Sequence, residues 1–149
     1  MRRPRHHRFH VLPALISRFH EAAEAKTGSV SCWVSGTPLR EFLHSDDLGE
    51  ACMFALEHWQ PGPGERPFLN VGTGVDLSIR ELAESVAKAT CYCGTIQWHT
   101  SKTDGTPKKQ LDVSRLASLC WRARIPLAEA LVGTVELFRE QLIEGLARL

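Results

Sequence analysis

Residues 68–74, Phe-Leu-Asn-Val-Gly-Thr-Gly, form a short apolar run stopped by glycines. Apolar residues on both faces are the pattern of an interior strand of a parallel sheet, which other elements cover above and below. Such a run asks for further strands beside it and helices over it. The next residues agree: Ser78-Ile79-Arg80-Glu81 offers a capping box, and Leu82, Val86 and Ala89 continue at helical spacing. The class this predicts is α/β.

The remaining segments alternate in the same way. From Val11 to Lys26 the residues Leu12, Leu15, Ile16, Phe19, Ala22 and Ala23 recur at helical spacing, and Thr27-Gly28 ends the helix. Ser29 to Val34 sets Val30, Cys32 and Val34 against Ser29, Ser31 and Trp33, a period-two strand that turns Trp33 away from the valines. A Gly-Pro turn leads to Arg40 beside Glu41, then to a short extended piece at Phe42-Leu43. A second helix starts at Asp46 or Asp47 and runs through Leu48, Ala51, Cys52, Ala55, Leu56 and Trp59, with its acids at the positive end. Gln60 to Pro67 is a surface loop, Gly94 to Trp98 a strand, and the polar, basic stretch His99 to Lys109 a loop. Asp112 to Leu119 reads as a short helix and Pro126 to Leu149 as a long one, with Pro126 near its first turn.

At 149 residues and 43% hydrophobic the chain suits one ordinary globular domain, or part of one. Its 18 basic and 17 acidic residues nearly cancel, so the overall field argues for neither nucleic-acid nor membrane binding. Arg2, Arg3, Arg5, Arg8 and Arg18 all precede the first acid, Glu21. That start is compatible with a transit peptide or a nucleic-acid arm, but Pro4 and Pro13 interrupt any long amphipathic helix. No secretory apolar segment and no membrane-length run occurs, so a soluble, cytoplasmic protein is expected. Cys32, Cys52, Cys91, Cys93 and Cys120 are odd in number and lack a framework spacing, which suits a reducing compartment. A metal at Cys91 and Cys93 would need two more ligands, such as His99 and His44, at unfavourable spacing; half-buried thiols are the simpler reading, and no metal is expected.

Few motifs carry chemistry on their own. Asn70 to Gly74 invites comparison with phosphate-binding glycine loops but lacks G-x-G-x-x-G and G-K-[ST]; a strand end that turns sharply explains it as well. The single tyrosine, Tyr92, has no lysine four residues on. Arg40 sits at the rim of an element, where arginines hold phosphates or carboxylates. His10 adjoins the first helix and Arg18 lies about two turns along it.

Four blocks, read in order, resemble one family. His10–Ala22 (HVLPALISRFHEA), Trp33–Cys52 (WVSGTPLREFLHSDDLGEAC), Leu69–Lys88 (LNVGTGVDLSIRELAESVAK) and Ser101–Leu131 are similar to the carboxy-terminal half of the GDP-L-fucose synthase family. These are GDP-4-keto-6-deoxymannose 3,5-epimerase-4-reductases within the extended short-chain dehydrogenases/reductases. The likeness runs from His10 nearly to the end. It implies an α/β substrate-binding portion, residues 10–149, after a basic segment 1–9, with most of the Rossmann sheet missing. It also implies that Arg40 reaches the diphosphate of a GDP-sugar, where bidentate N–H geometry suits arginine. Arg18 and Lys109 would complete the cationic clamp, and Trp33 would pack on the nucleotide end. Lys102 and Asp104 would contact phosphate and ribose. His10 would be the acid in epimerisation beside the ketone, a role imidazole suits near neutral pH. The chain departs from the family at Val34, Thr103 and Ser45, which stand where glycine, proline and valine are usual.

In that family the amino-terminal half supplies the dinucleotide-binding glycine loop, the Ser-Tyr-Lys reduction set and the cysteine that partners the histidine. None of these motifs is in this sequence. The expectation is therefore a truncated or split GDP-L-fucose synthase that binds GDP-4-keto-6-deoxymannose or GDP-L-fucose. Epimerisation and NADPH-dependent reduction, with NADP as cofactor, would need a separate dinucleotide-binding half. Alone it would be inactive and, through open edges at Leu69 and Val71, prone to self-association. The alternatives are a non-catalytic nucleotide-sugar-binding or interaction module, or an unstable gene remnant.

Overall fold

A computed structural model describes residues 10–32, 35–100 and 104–146. Helix α1, Val11–Glu24, buries Leu15, Ile16, Phe19 and Ala22 along one stripe. It is followed by β1 (Ser29–Cys32), β2 (Leu39–Glu41), α2 (Ser45–His58) and β3 (Asp76–Ser78). Then come α3 (Ile79–Ala89), β4 (Thr95–Trp98), β5 (Lys108–Lys109), α4 (Ser114–Ser118) and α5 (Leu127–Ile143). The architecture is α/β.

Helix α1 ends two residues before the expected Lys26. Thr27 N donates to Ala22 O and Lys26 N to Ala23 O, the paired bonds of a Schellman stop. That stop places Lys26 at φ 50°, in the left-handed region where glycine is usual. Helices α3 and α4 stop in the same way at Cys91 and Cys120, with φ 60° and 71°. The expected capping box of α3 is present, with Ser78 Oγ accepting from Glu81 N and Glu81 Oε2 accepting from Ser78 N.

Two small sheets result. Strands β1 and β4 pair in parallel, Ser29 with Thr95 through Cys32 with Trp98. Val30 and Cys32 point into a core built from α1, α3 and α5, where Phe19, Leu82, Val86, Leu131 and Val135 are fully buried. The second sheet has the order β3-β2-β5, with β2 antiparallel to β3 and parallel to β5. A smaller cluster of Ala51, Leu116 and Trp121 lies beneath Leu69 and Val71.

The run 68–74 is not a strand. It joins no ladder among the described residues, and its polar groups pair with side chains and distant backbone instead: Arg115 Nη1 donates to Phe68 O at 2.8 Å. Asn70 Nδ2 in turn donates to Asp112 O at 3.0 Å. Phe68 is half exposed, and Leu69 and Val71 pack on the smaller cluster. The extended piece after the turn is Leu39–Glu41 and not Phe42-Leu43, and the basic loop after β4 ends in β5. The last helix stops at Ile143, and Pro126 is its N-cap. Of the cysteines only Cys32 is buried; the other four are exposed. Among the described residues no helix is long and apolar enough to cross a membrane.

Candidate functional site

The three-stranded sheet sorts its charges by face. Successive side chains alternate across a strand, so Arg40 points opposite to Leu39 and Glu41. Arg40 pairs in register with Lys109 on β5 and with Leu77 on β3. Glu41 pairs with Asp76, and Lys108 Nζ lies 3.0 Å from Asp76 Oδ2. One face therefore carries Arg40 and Lys109 side by side, and the other carries Glu41, Asp76 and Lys108. Arg40 Nη1 donates to Leu39 O at 2.6 Å. Gly105 passes over the same guanidinium, since a Cβ there would lie 3.9 Å from Arg40 Nη2.

The turn ahead of β2 is pinned on several sides. Asp104 accepts from Ser35 N at 3.0 Å, from Ser35 Oγ, and from Thr37 Oγ1 at 3.4 Å. The Ser35 hydroxyl and amide hold the Asp104 carboxyl below the usual carboxylate range. Ser35 O accepts from Arg80 Nη2 at 3.0 Å, and the Arg80 guanidinium stacks 4.5 Å over the Trp98 ring. Gly36 has φ 83°, and a Cβ there would meet the Trp98 ring at 2.9 Å. Only glycine fits. Asp104 thus binds the turn with both carboxylate oxygens.

Arg18 lies on α1 and donates from Nη1 to Ser31 O at 2.9 Å. It also neighbours Cys32, whose thiol is pushed up by burial and partly drawn back by the guanidinium. His10 is exposed at the N-cap of α1 and makes no side-chain capping bond; its carbonyl accepts from Ala14 N. The structure therefore brings Arg40 and Lys109 together, commits Asp104 to the turn, and holds Arg18 at β1. Trp33 and Lys102 lie outside the described residues, as do Val34 and Thr103.

Sequence reasoning passed over Glu41. Its Oε1 accepts from Gly74 N at 2.6 Å and from Thr73 Oγ1 at 3.2 Å, and its Oε2 accepts from Leu111 N at 3.0 Å. At Gly72 a Cβ would collide with Oε1, so a side chain there would displace the acid. This glycine loop is filled by a carboxylate, and its amide is already spent. A dinucleotide phosphate does not fit it. The only signal in the sequence is an acid inside a strand triplet, with a glycine pair some thirty residues on, and neither is distinctive alone. Asp47, also overlooked, is buried and accepts from Arg124 N at 3.1 Å and Ile125 N at 3.0 Å.

Residues 2–72 match the NAD dependent epimerase/dehydratase family. A putative GDP-L-fucose synthase 2 from Arabidopsis thaliana is 45% identical over 91% of this chain and 40% of its own length. A GDP-L-fucose synthase from Escherichia coli is 47% identical over 88% of this chain and 42% of its own. A GDP-L-fucose synthetase from Naegleria fowleri superposes with a TM-score of 0.80 at 27% identity, over 91% of this chain and 41% of that one. The same enzyme bound to NADP gives a TM-score of 0.80. The chain spans about two fifths of the length of these relatives.

Proposed function

Since this chain is a relative of the GDP-L-fucose synthases and has the α/β fold of extended short-chain dehydrogenases/reductases, we propose that it is a GDP-sugar-binding portion of such an enzyme. The observation that carries this reading is the Arg40–Lys109 pair, two cations in register on one sheet face. Paired cations on one face suit a diphosphate, and a guanidinium adds fixed donor geometry. Arg18 adds a third cation at β1, Trp33 packs against the nucleotide end, and Lys102 adds a phosphate contact. Asp104 holds the turn before β2 and contacts the ribose with its remaining acceptor capacity. His10 supplies the proton donor for 3,5-epimerisation, within a cytoplasmic GDP-4-keto-6-deoxymannose epimerase-reductase.

NADPH, the reductant such chemistry uses, finds no phosphate cradle in the glycine loop at 72–74, because Glu41 fills it. A separate dinucleotide-binding portion would hold it, and this chain alone reduces nothing. Among the described residues β1 and β4 ladder only with each other, so their outer edges can take a further strand from that portion or from a second copy.

Calorimetric titration of residues 1–149 with GDP tests the reading. Binding should weaken as salt rises, because phosphate contacts are screened. Arg40→Ala should cost about 1.5 to 3 kcal/mol, the range for a hydrogen bond to a charged group. Affinity unchanged by that substitution refutes the clamp. NADPH turnover by the chain alone refutes the division of labour.

A further inference from the structure

Glu41 is the residue next to Arg40 and points to the opposite face of the same sheet. From β2 its carboxylate reaches two further segments, the loop at Thr73 and Gly74 and Leu111 just beyond β5. Strand β5 is only two residues long, so two register pairs with β2 are all the sheet provides to fix Lys109. So short a pairing is weakly specified, and a one-residue slip would send Lys109 to the other face. Leu111 follows Lys109 by two residues, and its amide is tied to the side chain of the residue after Arg40. The fit is close on the loop side as well, where Gly72 leaves no room for a side chain against Oε1. A charged acceptor gives stronger bonds to these amides than a neutral one.

We propose that Glu41 is the positioning residue of the cation pair: by clamping Leu111 and the Thr73–Gly74 loop it holds β5 in the register that sets Lys109 beside Arg40. This role rests on the reading that Arg40 and Lys109 bind the GDP diphosphate. Lys108 assists from the acidic face through its ion pair with Asp76, which lies opposite Glu41 on β3.

Glu41→Gln keeps the shape but replaces one carboxylate oxygen with a donor, leaving either Leu111 N or the loop donors without an acceptor. GDP affinity should fall roughly tenfold to a hundredfold, the equivalent of losing one charged hydrogen bond. Amide exchange at Lys109 to Leu111 should accelerate, and Glu41→Asp should recover part of the affinity. A merely structural role predicts that Glu41→Gln costs the same factor whether or not Lys109 is present. Positioning predicts that in a Lys109→Ala background it costs less than about twofold, because the group it places is gone. Equal cost in both backgrounds overturns the proposal, as does parental affinity in Glu41→Gln. Where that variant is insoluble, Thr73→Val withdraws one donor and leaves the acid, and unchanged affinity there overturns the proposal too. No GDP binding by the parent chain overturns the functional reading first, and this role with it.

Discussion

The two hydrophobic clusters are held by different physics. Around Phe19 the helices α1, α3 and α5 close over β1 mainly with apolar side chains, and the Phe19 ring sits 5.4 Å from that of Tyr92. Around Ala51, Leu116 and Trp121 the apolar contribution is small, and the segments are tied by side chains bonded to backbone. Asp47 holds the amides of 124 and 125, Asn70 holds Asp112 O, and Arg115 holds Phe68 O. The first region depends on area removed from water, which is non-directional and tolerates small shifts. The second depends on directional bonds whose loss leaves buried groups unpaired. Irregular backbone survives in the second region because polar side chains satisfy it.

The contrast between the two regions is tested most severely at Phe19. Phe19→Ala should destabilise the chain by about 3 to 5 kcal/mol, the range for emptying an aromatic core position. Denaturant unfolding measures it; a loss under about 1 kcal/mol would mean the helical core is not the main source of stability. Asp47→Ala should cost less, about 1.5 to 3 kcal/mol, by freeing two amides around a buried site. Its mark should be local: faster amide exchange at Arg124 and Ile125 with the β1–β4 pair still protected. Uniform loss of protection would show that the two regions unfold as one. The smallest effect belongs to Ser78→Ala, about 1 kcal/mol for a lost N-cap.

Ser78 also carries a pH signature. Its hydroxyl and amide hold the Glu81 carboxyl below the usual range. A depressed folded-state pKa contributes stability above the unfolded value, near about 4, that is lost as pH falls through the folded one. The parent should therefore lose stability on that acid limb, and Ser78→Ala should lose less. Identical acid limbs in the two proteins would dismiss the capping box as a pH-dependent contributor.

The helical core was legible in the sequence because its spacing is local: Leu15, Ile16, Phe19 and Ala22 announce one buried stripe, and Ser78 with Glu81 announces a cap. Helix ends were less so. Lys26, Cys91 and Cys120 occupy left-handed stops where glycine would have marked the boundary. The 68–74 run misled for another reason: its apolar pattern is that of a strand, whereas its surroundings tie it down through Arg115 and Asp112, far away in sequence. In the site, the resemblance picked out Arg40 and Lys109, and the register brings them together. Glu41 stayed hidden because its partners at 73, 74 and 111 are known only once the chain is folded.

The parallel pairing of β1 with β4 imposes an order in time. Thr95 Oγ1 donates to Gly28 O across 67 positions of chain, so β1 leaves the ribosome long before its partner exists. At about 5 to 20 residues per second the wait is roughly 3 to 13 seconds. Through that interval Val30 and Cys32 wait without β4 beside them, and α3, which must cover them, is itself still being made. A nascent chain of this kind spends its most vulnerable moments with a valine-bearing edge in the open. Slowing synthesis between Cys32 and Trp98 should therefore lower the yield of soluble protein more than slowing it after Trp98.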